Sequence, residues 1–136
     1  MHVLAPISIG ELFDKISILE IKQRMIKDSV KLANVENELK VLKDLALTLD
    51  LKIPNILYSE LVKVNQDLWD LEDKIREKEE LMQFDEEFIT FARGDAIYND
   101  KRFLVKKKIN EHFNSQIVEE KSYSDKCLSS HQNFEK

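Results

Sequence analysis

From Leu57 to Met82 the chain places apolar side chains at alternating intervals of four and three. Leu57, Leu61, Val64, Leu68, Leu71, Ile75 and Met82 hold these positions, with Lys78 in the one polar place. This spacing predicts a long helix whose seam lies along other helices. It would run over 55–82, about 40 Å at 1.5 Å per residue, with Pro54 in its first turn, where a missing N–H costs nothing. Upstream, Ser8-Ile9-Gly10-Glu11 has capping-box spacing and opens a first helix ending near Lys27. Leu12, Phe13, Ile16, Leu19 and Ile26 form its main face. Ile9, Ile18, Ile21 and Met25 widen it, which predicts burial on more than one side. Asp28 or Ser29 caps a second helix whose stripe is Leu32, Val35, Leu39, Leu42, Leu45, Ala46 and Leu49. Helices two and three should form a long antiparallel hairpin.

Asp85 is placed to cap a fourth helix, with Phe84 before it and Ile89 after it as a hydrophobic staple, and with Phe88, Phe91 and Ala92 facing inward. Tyr98-Asn99-Asp100 favours a break over the alternative of one kinked helix, because Asn and Asp side chains compete for backbone groups. Asp100 would then cap a fifth helix ending at Phe113. The expectation is an all-α helical bundle of four to five helices. It would form one domain over 1–123, followed by a disordered polar tail over 124–136. Tyr123, apolar in its ring and polar at its tip, would dock the end of the ordered part.

Composition supports this class. Hydrophobic residues make up 43% and charged residues 35%, and only 2 Gly and 2 Pro occur, too few for a sandwich or barrel. The lone Cys127 excludes a disulfide framework within the chain and argues against a zinc site, so a reducing, cytoplasmic compartment is expected. No apolar run approaches the roughly 20 residues of a membrane span, and MHVLAPISIG lacks the pattern of a signal peptide. The net charge of −5 argues against nucleic acid as a partner. Lys101, Arg102, Lys106, Lys107 and Lys108 are a local exception, read as a solvated face near a helix C-terminus.

Three polar groupings could carry chemistry. Glu11, Asp14 and Lys15 share the first two turns of helix one; the plain alternative is a cap with a Glu11–Lys15 pair. Asn65, Trp69, Glu72, Asp73 and Arg76 form a stripe beside the seam of helix three, where Glu72–Arg76 is an ordinary helix pair. Arg93, Tyr98, Asn99, Asp100, Arg102, Lys106 and Asn110 crowd positive charge near the expected junction, where it could hold an anion or neutralise the acidic helix three. His2, His112 and His131 form no triad or metal pair, and no Gly-rich phosphate loop is present.

These residues bring a resemblance into view. Gly10-Glu11-Leu12 with Asp14-Lys15, Ile18-Leu19-Glu20-Ile21-Lys22 and Lys31-Leu32-Ala33-Asn34-Val35 carry its first part. Asn65 with Leu68-Trp69, Glu72-Asp73 with Arg76, and Ala92-Arg93 continue it. Tyr98 with Asn99-Asp100 and Arg102, then Glu119-Glu120-Lys121-Ser122-Tyr123, complete it. The chain resembles a small uncharacterised bacterial family, a domain of unknown function, over roughly residues 3–123. The resemblance implies no activity. Gly94 and Asp95 depart from its usual pattern.

The expected role is a small binding or assembly module acting as a homodimer through helices two and three, without a cofactor. The expected ligand surface gathers Glu11, Asp14, Lys15, Trp69, Glu72, Asp73, Arg76, Tyr98, Asn99, Asp100, Arg102, Lys121 and Tyr123, with a small anionic ligand. Asp14, Glu72, Asp73, Asp100, Arg102 and Lys121 would converge on one site. The alternative is a magnesium-dependent enzyme or binding protein for a phosphorylated small molecule. All-helical nucleotide pyrophosphohydrolases of the MazG type hold magnesium with ExxE and ExxD motifs; Glu77–Glu80 and Glu11–Asp14 echo these in reversed order. Asp14, Ile16 and Arg24 echo a helical chorismate mutase more weakly.

Overall fold

Four helices account for the regular structure of the computed structural model, which describes residues 1–122: α1 (Ile9–Met25), α2 (Ser29–Thr48), α3 (Asn55–Glu80) and α4 (Glu86–Phe113). The expected tail over 124–136 and the docking of Tyr123 lie outside the described residues.

The helix boundaries follow local chemistry. Ser8 caps α1 by accepting from the Glu11 N–H at 3.1 Å. Asp28 caps α2 by accepting from the Lys31 N–H at 2.9 Å, and Asp85 caps α4 by accepting from the Phe88 N–H at 3.0 Å. Pro54 stands just before α3, its carbonyl accepting the first helical bond from Tyr58 at 3.1 Å. Phe84 does touch the first turn of α4, but its ring meets Phe88 edge-on at 5.3 Å, while Ile89 is exposed.

Three helices end in the same way. Leu51 N–H returns to Ala46, Gln83 N–H to Lys78 and Ser115 N–H to Asn110, each with a left-handed residue just before it. Asp50, Met82 and Asn114 hold those positions, with φ near 50°. This is the Schellman arrangement, usually completed by glycine.

The break expected near Asn99 does not occur: α4 is one helix. Asn99 Nδ2 donates 2.9 Å to the Asp95 carbonyl one turn back, and its Oδ1 accepts from Arg102. Both ends of the amide are used inside the helix, so it does not compete with it.

The chain divides into two units. The first comprises Met1–Val62 and Val105–Glu119. Here α1 packs on α2, and Leu12, Phe13, Ile16, Leu19, Ile21, Val35, Leu39, Leu61 and Ile109 are buried. Phe13 stacks on Phe113 at 5.9 Å and meets Tyr58 edge-on at 6.4 Å. Tyr58 also donates to Glu20. Burial first, then the bond and charge of Glu20, push the phenol well above its ordinary pKa.

Among the described residues the second unit comprises Lys63–Leu104 and residues 120–122. It holds most of α3 and α4, with Val64, Leu68, Ile97 and Phe103 buried. Cross-helix contacts run Asn65 to Arg102, Lys74 to Phe91 and Lys78 to Glu87, so the two helices are antiparallel. No helix of the described residues is long and apolar enough to cross a membrane.

Candidate functional site

The expected site residues fall into two groups, one within each unit; Tyr123 lies outside the described residues. Glu11, Asp14 and Lys15 belong to the first unit, and Trp69, Glu72, Asp73, Arg76, Tyr98, Asn99, Asp100, Arg102 and Lys121 to the second.

In the first unit the α1 N-terminus is closed from several sides. Ile9 N–H donates to Ser115 Oγ at 3.1 Å and Gly10 N–H to Asn110 Oδ1 at 2.6 Å. Gly10 is required by this approach: a Cβ there would stand 2.6 Å from the Lys106 carbonyl oxygen. Replacing Gly10 with alanine forces a backbone shift and is expected to cost about 1–3 kcal/mol, measured by urea denaturation.

Lys106 lies at the centre of this group. Its ammonium is 2.6 Å from Glu11 Oε2, 2.7 Å from Glu119 Oε2 and 3.8 Å from Asp14 Oδ2. The Lys106 side chain is 8% exposed and that of Asp14 7%. Burial opposes the lysine charge, but bonds from Glu11 and Glu119 and the field of Asp14 outweigh it, so its pKa is raised. Reading Lys106 as part of a solvated basic face is therefore corrected: the α4 face shared with Val105, Ile109 and Asn110 is buried. The capping box is only half formed, because the Glu11 carboxylate is held by Lys106 and, at 3.6 Å, by Lys15.

In the second unit, Asn65, Trp69, Glu72 and Arg76 follow one another at four, three and four residues on α3. Asp95, Asn99 and Arg102 do the same at four and three on α4. The two polar rows meet. Arg102 donates to Asn65 Oδ1 at 3.4 Å and to Asn99 Oδ1. Further along, Glu72 meets Asp95 carboxyl to carboxyl. Burial, then the bond and charge of Asp95, raise the Glu72 pKa, with Arg102 and Arg76 acting the other way. The expected Glu72–Arg76 ion pair is not formed among the described residues: Glu72 is engaged with Asp95, and Arg76 contributes its field.

A raised carboxyl pKa favours the folded protein when protonated. Its contribution is whole below the ordinary carboxylate range and is lost as pH rises through the raised value. The contribution of Glu72 to stability should therefore increase on acidification from neutrality. Glu72→Gln should flatten that part of the profile of Tm against pH. An unchanged profile would show that the acid pair has no such role.

Two buried atoms of this row, Trp69 Nε1 and Asp95 Oδ1, have no hydrogen-bond partner among the described residues. Nearby on α4, Lys101 lies over the Tyr98 ring at 4.8 Å. Asp100 is 3.5 Å from Lys121, which also lies over Phe103. Asp73 is exposed. Among the described residues, no cluster of three or more His, Cys, Asp or Glu side chains is arranged to hold a metal ion.

Glu119, Ser115 and Asp95 join these groups without having been among the expected members. Lys106, expected beside an anion, is held by carboxylates instead, and its spacing to Phe103 and Asn110 puts it on the inner face of α4. The pairing of Asp95 with Glu72 leaves no mark in the sequence.

The family comparison agrees with the resemblance. The model of a family of unknown function, DUF6165, matches residues 3–134, and the chain belongs to that family. No curated protein and no solved structure matches the chain.

Proposed function

We propose that this chain is a small binding module whose ligand surface is the polar row between α3 and α4 in the second unit. The observation that carries the reading is the pair of unmet buried atoms, the donor Trp69 Nε1 and the acceptor Asp95 Oδ1. Each such atom costs about 1–3 kcal/mol. Asn65, Asn99 and Arg102 satisfy one another in the same row, so the two unmet atoms stand out from an otherwise paired network. The complementary ligand offers an acceptor to the indole, a hydroxyl to Asp95 and an anionic group to Arg102. That describes a small hydroxylated compound carrying a phosphate or a carboxylate. No metal is part of this reading.

Trp69 is the one tryptophan of the chain, so its fluorescence reports the site. Native mass spectrometry of protein purified without denaturation should show a retained small mass. Sugar phosphates and hydroxy acids titrated at millimolar levels should shift the Trp69 emission, and Arg102→Lys should remove the response. No retained mass together with unchanged emission would defeat the proposal.

An assembly role has its own support in the first unit. Val30, Val41 and Leu45 on α2, and Leu49 at its C-terminal cap, are exposed. A homodimer through helices two and three would cover them, in a reducing cytoplasm that suits the single cysteine. Light scattering that gives a monomer at high micromolar concentration would remove this second reading.

A further inference from the structure

The turn joining α3 to α4 concentrates the charge of the chain. Residues 77–87 contain six carboxylates against one lysine, a charge of −5 that equals that of the whole protein. The rest of the sequence is balanced. The one lysine, Lys78, is held internally, 2.9 Å from Asp85 and 2.8 Å from Glu87. Glu77, Glu79, Glu80 and Glu86 are exposed and have no ion-pair partner among the described residues.

Among these carboxylates lie Leu81, Met82, Phe84 and Ile89, each more than half exposed. Leu81 and Phe91 are the apolar part of a groove of about 450 Å³ whose other walls are Lys74, Glu77, Lys78, Gln83 and Glu87. Met82 adds a further sign. Its φ is 53°, in the left-handed region, and its side chain is 76% exposed. Glycine would close the same cap with less strain, and methionine there contributes almost no burial to the fold. A long, polarisable thioether suits a contact surface that adapts to a partner.

We propose that this tip docks a basic amphipathic segment of another protein. Apolar side chains of the segment would enter the groove beside Leu81 and Phe91 and cover Met82 and Phe84. Its Lys and Arg side chains would meet Glu77, Glu79, Glu80 and Glu86. Charge selects this occupant. Nucleic acid and an anionic membrane surface are repelled, and a second copy would bring an equally acidic tip. The apolar residues supply the anchors that give such a contact its strength. This surface is independent of the polar row proposed above.

The probe is a short fluorescein-labelled helical peptide of leucine and lysine in amphipathic order, titrated against the full chain at about 0.1 M salt. Fluorescence anisotropy should show micromolar binding. The double variant Glu79→Lys, Glu80→Lys should weaken it about tenfold, and Met82→Gly by a similar factor. Glu36→Lys with Glu38→Lys on α2, an equal change of charge, should leave it unaltered. Met82→Gly should keep or raise Tm, which separates lost binding from lost folding. A leucine–glutamate peptide of the same order should not bind. Equal weakening by the α2 pair would reduce the effect to general charge and overturn the proposal, as would full binding by Met82→Gly. A dimer that forms with concentration and disappears in the tip variants would make a second copy the occupant, and would overturn it too.

Discussion

Replacing Lys106 with methionine should cost the fold about 3–5 kcal/mol, the scale of breaking a buried charge pair from one side. That is a large share of the 5–15 kcal/mol typical of a whole domain. The three carboxylates around Lys106 differ in what they can do once it is gone. Glu119 is 41% exposed and Glu11 32%, so both can turn to water. Asp14 is buried and cannot. Adding Asp14→Asn to Lys106→Met tests how much of the cost this buried carboxylate carries. Urea midpoints of the two single variants and the double variant give the coupling directly. A loss below about 0.5 kcal/mol, the range of ordinary surface substitutions, would show that the lysine is a bystander.

What the sequence reveals here, and what it hides, follows the range of the interactions. The caps Ser8, Asp28 and Asp85 are local, each bonding an N–H three residues on, and they are legible. The seam Leu61, Val64 and Leu68 is legible too, because helical periodicity alone puts those side chains on one buried face. The continuity of α4 was hidden at Asn99. A residue that favours caps is retained there by two bonds to its own helix, one of them to Arg102. Lys106 was hidden for a different reason. Its neighbours Lys107 and Lys108 are exposed, so the run reads as a solvated face. Its main partner Glu11 lies 95 residues away. Charge in a sequence does not disclose its counter-charge. The same holds for Glu72, whose neighbour in sequence is Arg76 but whose neighbour in space is Asp95.

One substitution made at two places on the seam separates periodicity from burial. Leu68 and Met82 hold equivalent positions in the alternating pattern of α3. Leu68 is 3% exposed and Met82 76%. Leu68→Asp would put a carboxylate into the apolar part of the second unit, beside buried Val64. Even after the group shifts its pKa and neutralises, several kcal/mol of burial and hydrogen-bonding cost remain, on the order of the fold's whole stability. Circular dichroism should show a large loss of helix at neutral pH, partly regained in acid. Met82→Asp should leave the spectrum and the urea midpoint nearly unchanged. The helix has already ended there, the side chain is in water, and aspartate tolerates a left-handed backbone better than methionine does. Equal damage at both positions would mean that the seam continues into a covered surface at the turn. Equal tolerance would mean that α3 is not packed at Leu68.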